Sequence, residues 1–76
     1  MIEVTDFIVK ALVREPDMVT VEEGNRRGED VLRIVVAEGD RGTVIGRQGR
    51  TIRAIETVLE VVSAGRGVPG LDVTTE

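Results

Sequence analysis

The chain contains no cysteine, histidine, tryptophan or tyrosine. Without cysteine it can have neither a disulfide framework nor a thiolate zinc site, and without histidine it lacks the commonest general base and metal ligand. No apolar run approaches the roughly 20 residues that span a membrane, and Glu3 and Asp6 stand where a secretory signal would carry basic residues. We therefore expect a cytoplasmic protein that is not an enzyme, binds no metal or cofactor, and does not contact membranes.

Aromatic side chains are almost absent, and Phe7 is the only one. The apolar residues make up 41% of the chain and are mostly valine, isoleucine, leucine and alanine, so the core is expected to be aliphatic. Aromatic stacking on nucleic-acid bases therefore cannot be the main binding mode. The 76 residues leave room for one domain, which we expect to span residues 1–76.

Charge is distributed unevenly along the chain. The net charge of −4 by itself argues against a nucleic-acid ligand. Residues 41–55, however, hold four of the ten basic side chains and none of the fourteen acidic ones, so this segment carries +4 and the remainder −8. The four are Arg41, Arg47, Arg50 and Arg53. Such a patch suits a confined phosphate site, because salt screens exposed charges beyond about 10 Å, although a chance cluster on a solvated helix has the same composition.

Hydrophobic periodicity predicts six elements in the order αββααβ. A helix over residues 2–14 ends before Pro16, because proline pushes the residue before it out of the helical region. Residues 18–23 and 31–37 form an antiparallel hairpin, with its second strand central in the sheet. A short helix starts at Arg41, a longer one spans residues 50–63 or 50–64, and residues 71–74 form a third strand. The fold class is α+β, with helices packed on one face of a three-stranded sheet.

Two apolar stripes and two caps predict which helix faces are buried and where helices end. The stripe of the first helix consists of Val4, Phe7, Ile8, Ala11 and Leu12. The stripe of the long helix consists of Ile52, Ile55, Val58, Leu59 and Val62. Asp40 is placed to cap the short helix, and Gly65 to cap the C-terminus of the long one.

The last two helices are joined by Gly46-Arg47-Gln48-Gly49. Glycine permits positive φ and lets a ligand backbone approach closely, and the first turn of the following helix offers free amide groups with partial positive charge. Such a site suits phosphate. Arg47 adds a charge at the tip, and Gln48 can offer an amide to a sugar or phosphate oxygen. Glycines between helices also serve as simple caps, so the loop alone is weak evidence of function.

Other chemical signals fail. A P-loop requires G-x-x-x-x-G-K-[ST], whereas here the opening position is Val44 and arginine replaces lysine in Gly49-Arg50-Thr51. The acidic pairs at residues 22–23 and 29–30 flank the hairpin turn, where charged side chains are ordinarily solvated. Their spacing indicates neither a metal site nor a catalytic pair.

The segment from Val44 to Ile55 reads V-I-G-R-Q-G-R-T-I-R-A-I. It resembles the V-I-G-x-x-G-x-x-I-x-x-I signature of KH domains, RNA-binding modules whose G-x-x-G loop clamps the nucleic-acid backbone, and every defining position is filled. The αββααβ order resembles the type II version of that fold. Over its whole length the chain is similar to the small bacterial single-KH proteins of the KhpA (YlqC) family. The shared features include the run from Leu12 to Asp17 and the run Asp40-Arg41-Gly42.

This resemblance implies that about four nucleotides of single-stranded RNA lie in a groove between the two short helices and a sheet edge. The residues it assigns to RNA binding are Arg41, Ile45, Gly46, Arg47, Gln48, Gly49, Arg50, Thr51, Ile52 and Arg53. In that set the loop residues hold the sugar-phosphate backbone, while Ile45 and Ile52 belong either to the groove floor or to the core. The resemblance also implies an RNA chaperone or post-transcriptional regulator, linked to cell-envelope growth, division and cell shape.

Two functions from different classes remain open. The first is RNA binding through the loop, without a decision between RNA and single-stranded DNA, because no contact to a 2′-hydroxyl can be located. The second is a protein-interaction module that keeps the KH scaffold for dimerisation. It requires an apolar surface exposed by the monomer, at Ala54, Val58, Val61 and Val62 or along the third strand. The resemblance implies a homodimer or a heterodimer with a second KH-containing protein, and both functions can coexist.

Overall fold

The structure, a computed structural model, describes residues 1–76 and contains three α-helices and three β-strands. They are α1 (Ile2–Leu12), β1 (Thr20–Arg26), β2 (Glu29–Val36), α2 (Arg41–Ile45), α3 (Arg50–Ser63) and β3 (Gly70–Thr75). The order αββααβ is therefore as predicted. None of the helices has both the length and the apolar character that crossing a membrane requires.

The sheet is mixed, with strand order β1-β2-β3 and β2 in the centre. β1 and β2 form the expected antiparallel hairpin. Its two-residue turn places Arg27 and Gly28 at positive φ, and the Gly28 N–H donates to Asn25 Oδ1 at 3.0 Å. β3 runs parallel to β2, which requires a crossover from one end of the sheet to the other. α2 and α3 lie in that crossover.

Side chains alternate along β2 and divide the sheet into two faces. Leu32, Ile34 and Val36 are buried, and the core that includes Ile34 and Val36 takes residues from all three helices. The core cluster is Val9, Val19, Ile34, Val36, Val44, Ile55 and Leu59. The opposite face carries ion pairs, Arg33 with Glu22 at 4.0 Å and Arg26 with Asp72 at 2.8 Å. The helices thus pack on one face of the sheet, as predicted.

The prediction for α1 was wrong at its end and for part of its buried face: Val4 and Ile8 pack against the core as predicted, whereas Phe7, Ala11 and Leu12 are exposed. The helix stops at Leu12, and Val13 is extended, because the N–H groups of Arg14 and Glu15 donate to the carboxylate of Asp40 and not to helix carbonyls. Its fully buried residues are Thr5 and Val9, whereas Phe7 is 74% exposed and Leu12 is exposed as well. The apolar face of this helix is wider than the face that contacts the core, so periodicity alone could not predict which side of it is buried.

Three smaller corrections concern element ends. Pro16–Met18 forms a 3₁₀ turn, so β1 starts at Thr20 and not at Met18. The tight hairpin turn lets the ladder of β1 and β2 extend to Arg26 and Glu29, beyond both predicted ends. At the end of α3 the left-handed conformation begins at Ala64, one residue before Gly65, the cap that was predicted.

Thr5 places a hydroxyl in the core with no hydrogen-bond partner. Replacing it with valine, which has nearly the same shape, should raise the free energy of unfolding by about 1 kcal/mol, because a buried unsatisfied polar group is costly. Urea denaturation of Thr5→Val against the wild type measures this. Thr57→Val is the matched control, since the Thr57 hydroxyl is exposed and donates to the Arg53 carbonyl at 3.0 Å. Equal effects at both positions would contradict the prediction.

Candidate nucleic-acid interface

The loop between α2 and α3 reverses the chain within four residues. Gly46 has φ 78°, and Gly49 has φ 74°, so both glycines adopt the positive φ that their type permits. Arg47–Gly49 forms a 3₁₀ turn in which the Gly49 N–H donates to the Gly46 carbonyl at 3.1 Å. Gln48 also has positive φ, at 56°, which the sequence did not indicate. Arg47 and Gln48 are left exposed at the tip.

Gly46 lies directly against the first turn of α3. A Cβ at this position would be 2.7 Å from the main-chain N of Thr51 and would overlap Thr51 Oγ1. The close contact therefore requires glycine even before a ligand is considered. Thr51, which the family resemblance assigns to RNA binding, is half-buried and lies close to Gly46 from the α3 side.

Two arginines of α3 extend back towards the loop. Arg50 Nη2 donates to Gln48 Oε1 at 3.4 Å. A Cβ on Gly49 would lie 3.0 Å from Arg53 Nη1, so the Arg53 guanidinium lies beside that glycine. Together with Arg47 they surround the loop with three positive charges. Arg41 is at the opposite end of α2 and makes no hydrogen bond or ion pair with them.

These arginines lack acidic partners, whereas three of the six other basic residues of the chain are paired and Arg14, Arg27 and Arg66 are not. Lys10, Arg26 and Arg33 each have a carboxylate oxygen within 4.0 Å. No carboxylate lies that close to the four arginines of residues 41–53. Their charge is therefore available to a phosphate and need not first be released from an ion pair.

Apolar side chains continue the surface beside the loop. Ile45 ends α2 and is half-buried, and Ile52 is half-buried and packs against the core. α2 itself packs against the edge strand β3. Ile45 and Ile52, here called the apolar strip, are the side chains that the groove implied by the resemblance would place under the bases, and Ile52 contributes to the core as well.

A cleft of about 910 Å³ is lined by none of residues 41–53. It opens between the start of α1, the hairpin and the connection from α3 to β3, and it includes Glu23, Glu29 and Asp30. Carboxylates at that density repel a phosphate backbone. Its charge therefore disfavours a nucleic-acid backbone, in contrast to the loop.

The outer flank of α3 is apolar and uncovered. The α3 patch consists of Ala54, Val58, Val61 and Val62. All four are exposed, and Val61 is 77% exposed. The inclusion of Val58 and Val62 in the buried stripe was therefore wrong, whereas the prediction that the patch is exposed by the monomer is confirmed.

Asp40 was predicted to cap α2, and that prediction was wrong. Its side chain makes no hydrogen bond to α2. Both carboxylate oxygens instead accept main-chain N–H groups, from Arg14 and from Glu15, each at 3.0 Å. The only signal in the sequence was an aspartate before a helix, and this signal does not distinguish a helix cap from an acceptor of distant main-chain N–H groups.

A short helix, a G-x-x-G turn and a longer helix, placed in the crossover between parallel strands after an αββ start, define a KH domain of the type II order. Comparison with protein families agrees, since the family described as "KhpA/KhpB, KH domain" matches residues 3–69. The chain belongs to this family of KH domains. It is a family of RNA-binding proteins and not of enzymes.

Curated relatives carry the same family name. A protein of Streptomyces coelicolor, named RNA-binding protein KhpA, is 46% identical over 66 residues, covering 87% of this chain and 82% of the relative. Proteins of the same name from Chlamydia trachomatis and Thermotoga maritima are 41% and 39% identical. Those matches cover 84% and 82% of this chain, and 82% and 83% of the relatives. No solved structure gives a significant match.

Proposed function

We propose that this protein binds single-stranded RNA at the loop Gly46–Gly49 and acts as an RNA chaperone or post-transcriptional regulator in the bacterial cytoplasm. The naming of its relatives as RNA-binding proteins supports the ligand class. In this proposal the loop clamps the sugar-phosphate backbone, and the bases lie over the apolar strip of Ile45 and Ile52. The bases are read on their edges, since the chain has no aromatic residue there to stack on them.

One observation carries the proposal: the loop is surrounded by arginines that have no acidic partner. Arg47, Arg50 and Arg53 lie around the two glycines, and no carboxylate is within 4.0 Å of them. The first turn of α3 adds amide groups that have no partner within the helix, and helix N-termini favour anions. On a chain of net charge −4, this is the region that a polyanion can approach with a gain in free energy.

The charge pattern also limits how RNA binds. Few phosphates can be contacted, because the rest of the surface is acidic. For single strands the logarithm of affinity falls by about 0.7 per phosphate for each log unit of salt. Two or three contacted phosphates thus correspond to a slope of about −1.4 to −2.1, which is shallow for a nucleic-acid-binding protein.

Charge reversal at the loop tip tests this proposal. We expect the double change Arg47→Asp and Gln48→Asp to weaken binding of a fluorescently labelled single-stranded RNA by about 30-fold, because charge-assisted hydrogen bonds are lost and repulsion is added. Both glycines remain, so circular dichroism should be unchanged. Fluorescence anisotropy across a salt series gives the affinity and the slope together, and a single-stranded DNA of the same sequence tests discrimination.

The hairpin turn offers a matched control. Asn25→Asp with Arg27→Asp changes the net charge by the same −3 and places aspartate at an exposed residue of similar φ, 54° at Arg27 against 56° at Gln48. This control should bind RNA within about twofold of the wild type, since screening confines exposed charges to short range. An equal loss of RNA affinity in both variants would show that net charge, and not the loop, accounts for the effect. Unchanged binding in the loop variant would remove the loop from the site.

The α3 patch favours a second, compatible function as a dimerisation surface. Four apolar side chains on two turns of one helix are unlike the polar outer flank that a solvated helix normally presents. A second copy of the chain, or another KH-containing protein, would bury them. A dimer presents two loops, so a longer RNA that reaches both gains avidity without any new contact.

A further inference from the structure

Asp40 is the one carboxylate enclosed by the protein. It is 2% exposed, and its two oxygens accept the N–H groups of Arg14 and Glu15, which lie 26 and 25 residues away in sequence. No cationic group lies within 4.0 Å of it. A buried anion is costly unless its hydrogen bonds are satisfied, and here two main-chain donors alone satisfy it. This contact, the Asp40 tether, joins the end of α1 to the start of α2.

The tether is close to the loop through a short, stiff connection. Asp40 immediately precedes α2, and Gly46 immediately follows it. The five residues of α2 rise only about 7.5 Å, so any tilt at Asp40 is carried directly to the loop. The far end of α2 is fixed in turn by the close contact between Gly46 and Thr51. α2 is thus held at both ends, by the Asp40 tether and by the first turn of α3.

We infer that Asp40 is a positioning residue for RNA binding: its carboxylate sets the orientation of α2 and so the geometry of the loop, without contacting RNA. The inference rests on the proposed function. Binding sites must be held within about 0.5 Å of the productive geometry by supporting residues. A carboxylate is specifically suited to this position, because asparagine would accept one N–H and turn its own NH₂ towards the other donor.

Substitution gives the first arm of the test. Asp40→Asn should raise the dissociation constant for single-stranded RNA about tenfold at a temperature where circular dichroism shows the variant folded. Asp40→Glu keeps both acceptor oxygens on a longer side chain and should give an intermediate value. Leu32→Ala is the control for stability, since this buried residue of β2 lines the acidic cleft and lies outside the tether and the loop. It should bind RNA within about twofold of the wild type.

The second arm uses the wild type alone. Coupling between two sites is reciprocal, so RNA bound at the loop should strengthen the tether. Amide hydrogen exchange at Arg14 and Glu15 is expected to slow about tenfold when saturating RNA is added. Gly28 is the reference amide. Its N–H also donates to a side-chain oxygen, Asn25 Oδ1 at 3.0 Å, but it lies in the hairpin turn, outside the tether and the loop. Its exchange should not change.

The outcomes separate the inference from the function on which it rests. A wild type that binds no RNA contradicts the proposed function. If the wild type binds, the inference is overturned by an Asp40→Asn protein that is folded and binds equally well, or by Leu32→Ala losing as much affinity as Asp40→Asn. Should Asp40→Asn fail to fold, exchange in the wild type decides: unchanged rates at Arg14 and Glu15 on RNA addition overturn the inference.

Discussion

Replacing Gly46 with alanine is expected to abolish RNA binding and to lower the free energy of unfolding by about 4 kcal/mol. Gly46 has φ 78° and ψ 167°, a region essentially restricted to glycine, and a residue with a Cβ is strained there by about 1–3 kcal/mol. The new methyl group would also lie 2.7 Å from the Thr51 main-chain N. Because main chain cannot escape by changing rotamer, the loop and α3 must separate, which adds about 1–3 kcal/mol.

Gly49→Ala is the matched comparison within the same loop. Its φ of 74° and ψ of 16° lie in the left-handed region, where alanine is disfavoured by about 1–2 kcal/mol. The nearest atom to the new methyl group is Arg53 Nη1 at 3.0 Å, the flexible end of a side chain that can move aside. Urea denaturation should therefore show a loss of about 1 kcal/mol, with weaker but measurable RNA binding in anisotropy.

The Thr51 side chain provides a further control on this reasoning. Thr51→Ala removes the hydroxyl that overlaps the new methyl group of Gly46→Ala but leaves the main-chain N in place. The double variant should remain nearly as unstable as Gly46→Ala alone. Full recovery of stability in the double variant, or equal losses for the alanine changes at Gly46 and Gly49, would contradict the main-chain contact as the cause.

Introducing lysine at Val58 and Val61 is expected to raise the dissociation constant of a dimer by at least about 100-fold, because two charges would have to be buried in an apolar interface. These residues lie at the centre of the α3 patch, and both are exposed in the monomer. Sedimentation velocity at tens of micromolar protein should show a dimer for the wild type and a monomer for the variant. A monomeric wild type would contradict dimerisation through this patch.

The control for the dimer is an apolar surface elsewhere. Phe7 and Ala11 are exposed residues of α1 spaced one helical turn apart. Lysine at both should leave the sedimentation coefficient unchanged. RNA binding gives the second measurement, since the Val58 and Val61 variant should keep its affinity for a short RNA that fits one loop. It should lose affinity for an RNA long enough to reach two, because avidity is removed and no loop contact is changed.

Local chemistry made the site region predictable from sequence. α2 and α3 have the bounds that the glycines and the helical spacing predicted, apart from the cap of α3 at Ala64, and both Gly46 and Gly49 adopt positive φ. These features depend on residues a few positions apart, so the sequence contains all the information that decides them. Whether the ten candidate residues contact RNA stays a prediction, because contact with a ligand is not a property of the chain alone.

Long-range contacts made the rest unpredictable. The end of α1 depends on Asp40, which lies 26 residues after Arg14. No pattern in the local sequence predicts this hydrogen bond. The choice of Thr5 and Val9 as the fully buried residues of α1 depends on how the helix lies on the sheet. In the isolated helix the face that includes Phe7 is the more apolar one, but packing against the sheet buries a different face.

The parallel pairing of β2 with β3 also determines how the folded chain can open. Val31 pairs with Gly70, and the connection between β2 and β3 contains α2, the loop and α3, so closing the sheet and ordering the loop are one event. The β1–β2 hairpin, joined by two residues, closes locally and at small entropic cost. We therefore expect two cooperative units, the hairpin and the segment from α2 to β3 that carries the loop. Opening of the second unit should remove the whole proposed RNA site at once, so that no partly formed loop is left to bind RNA weakly.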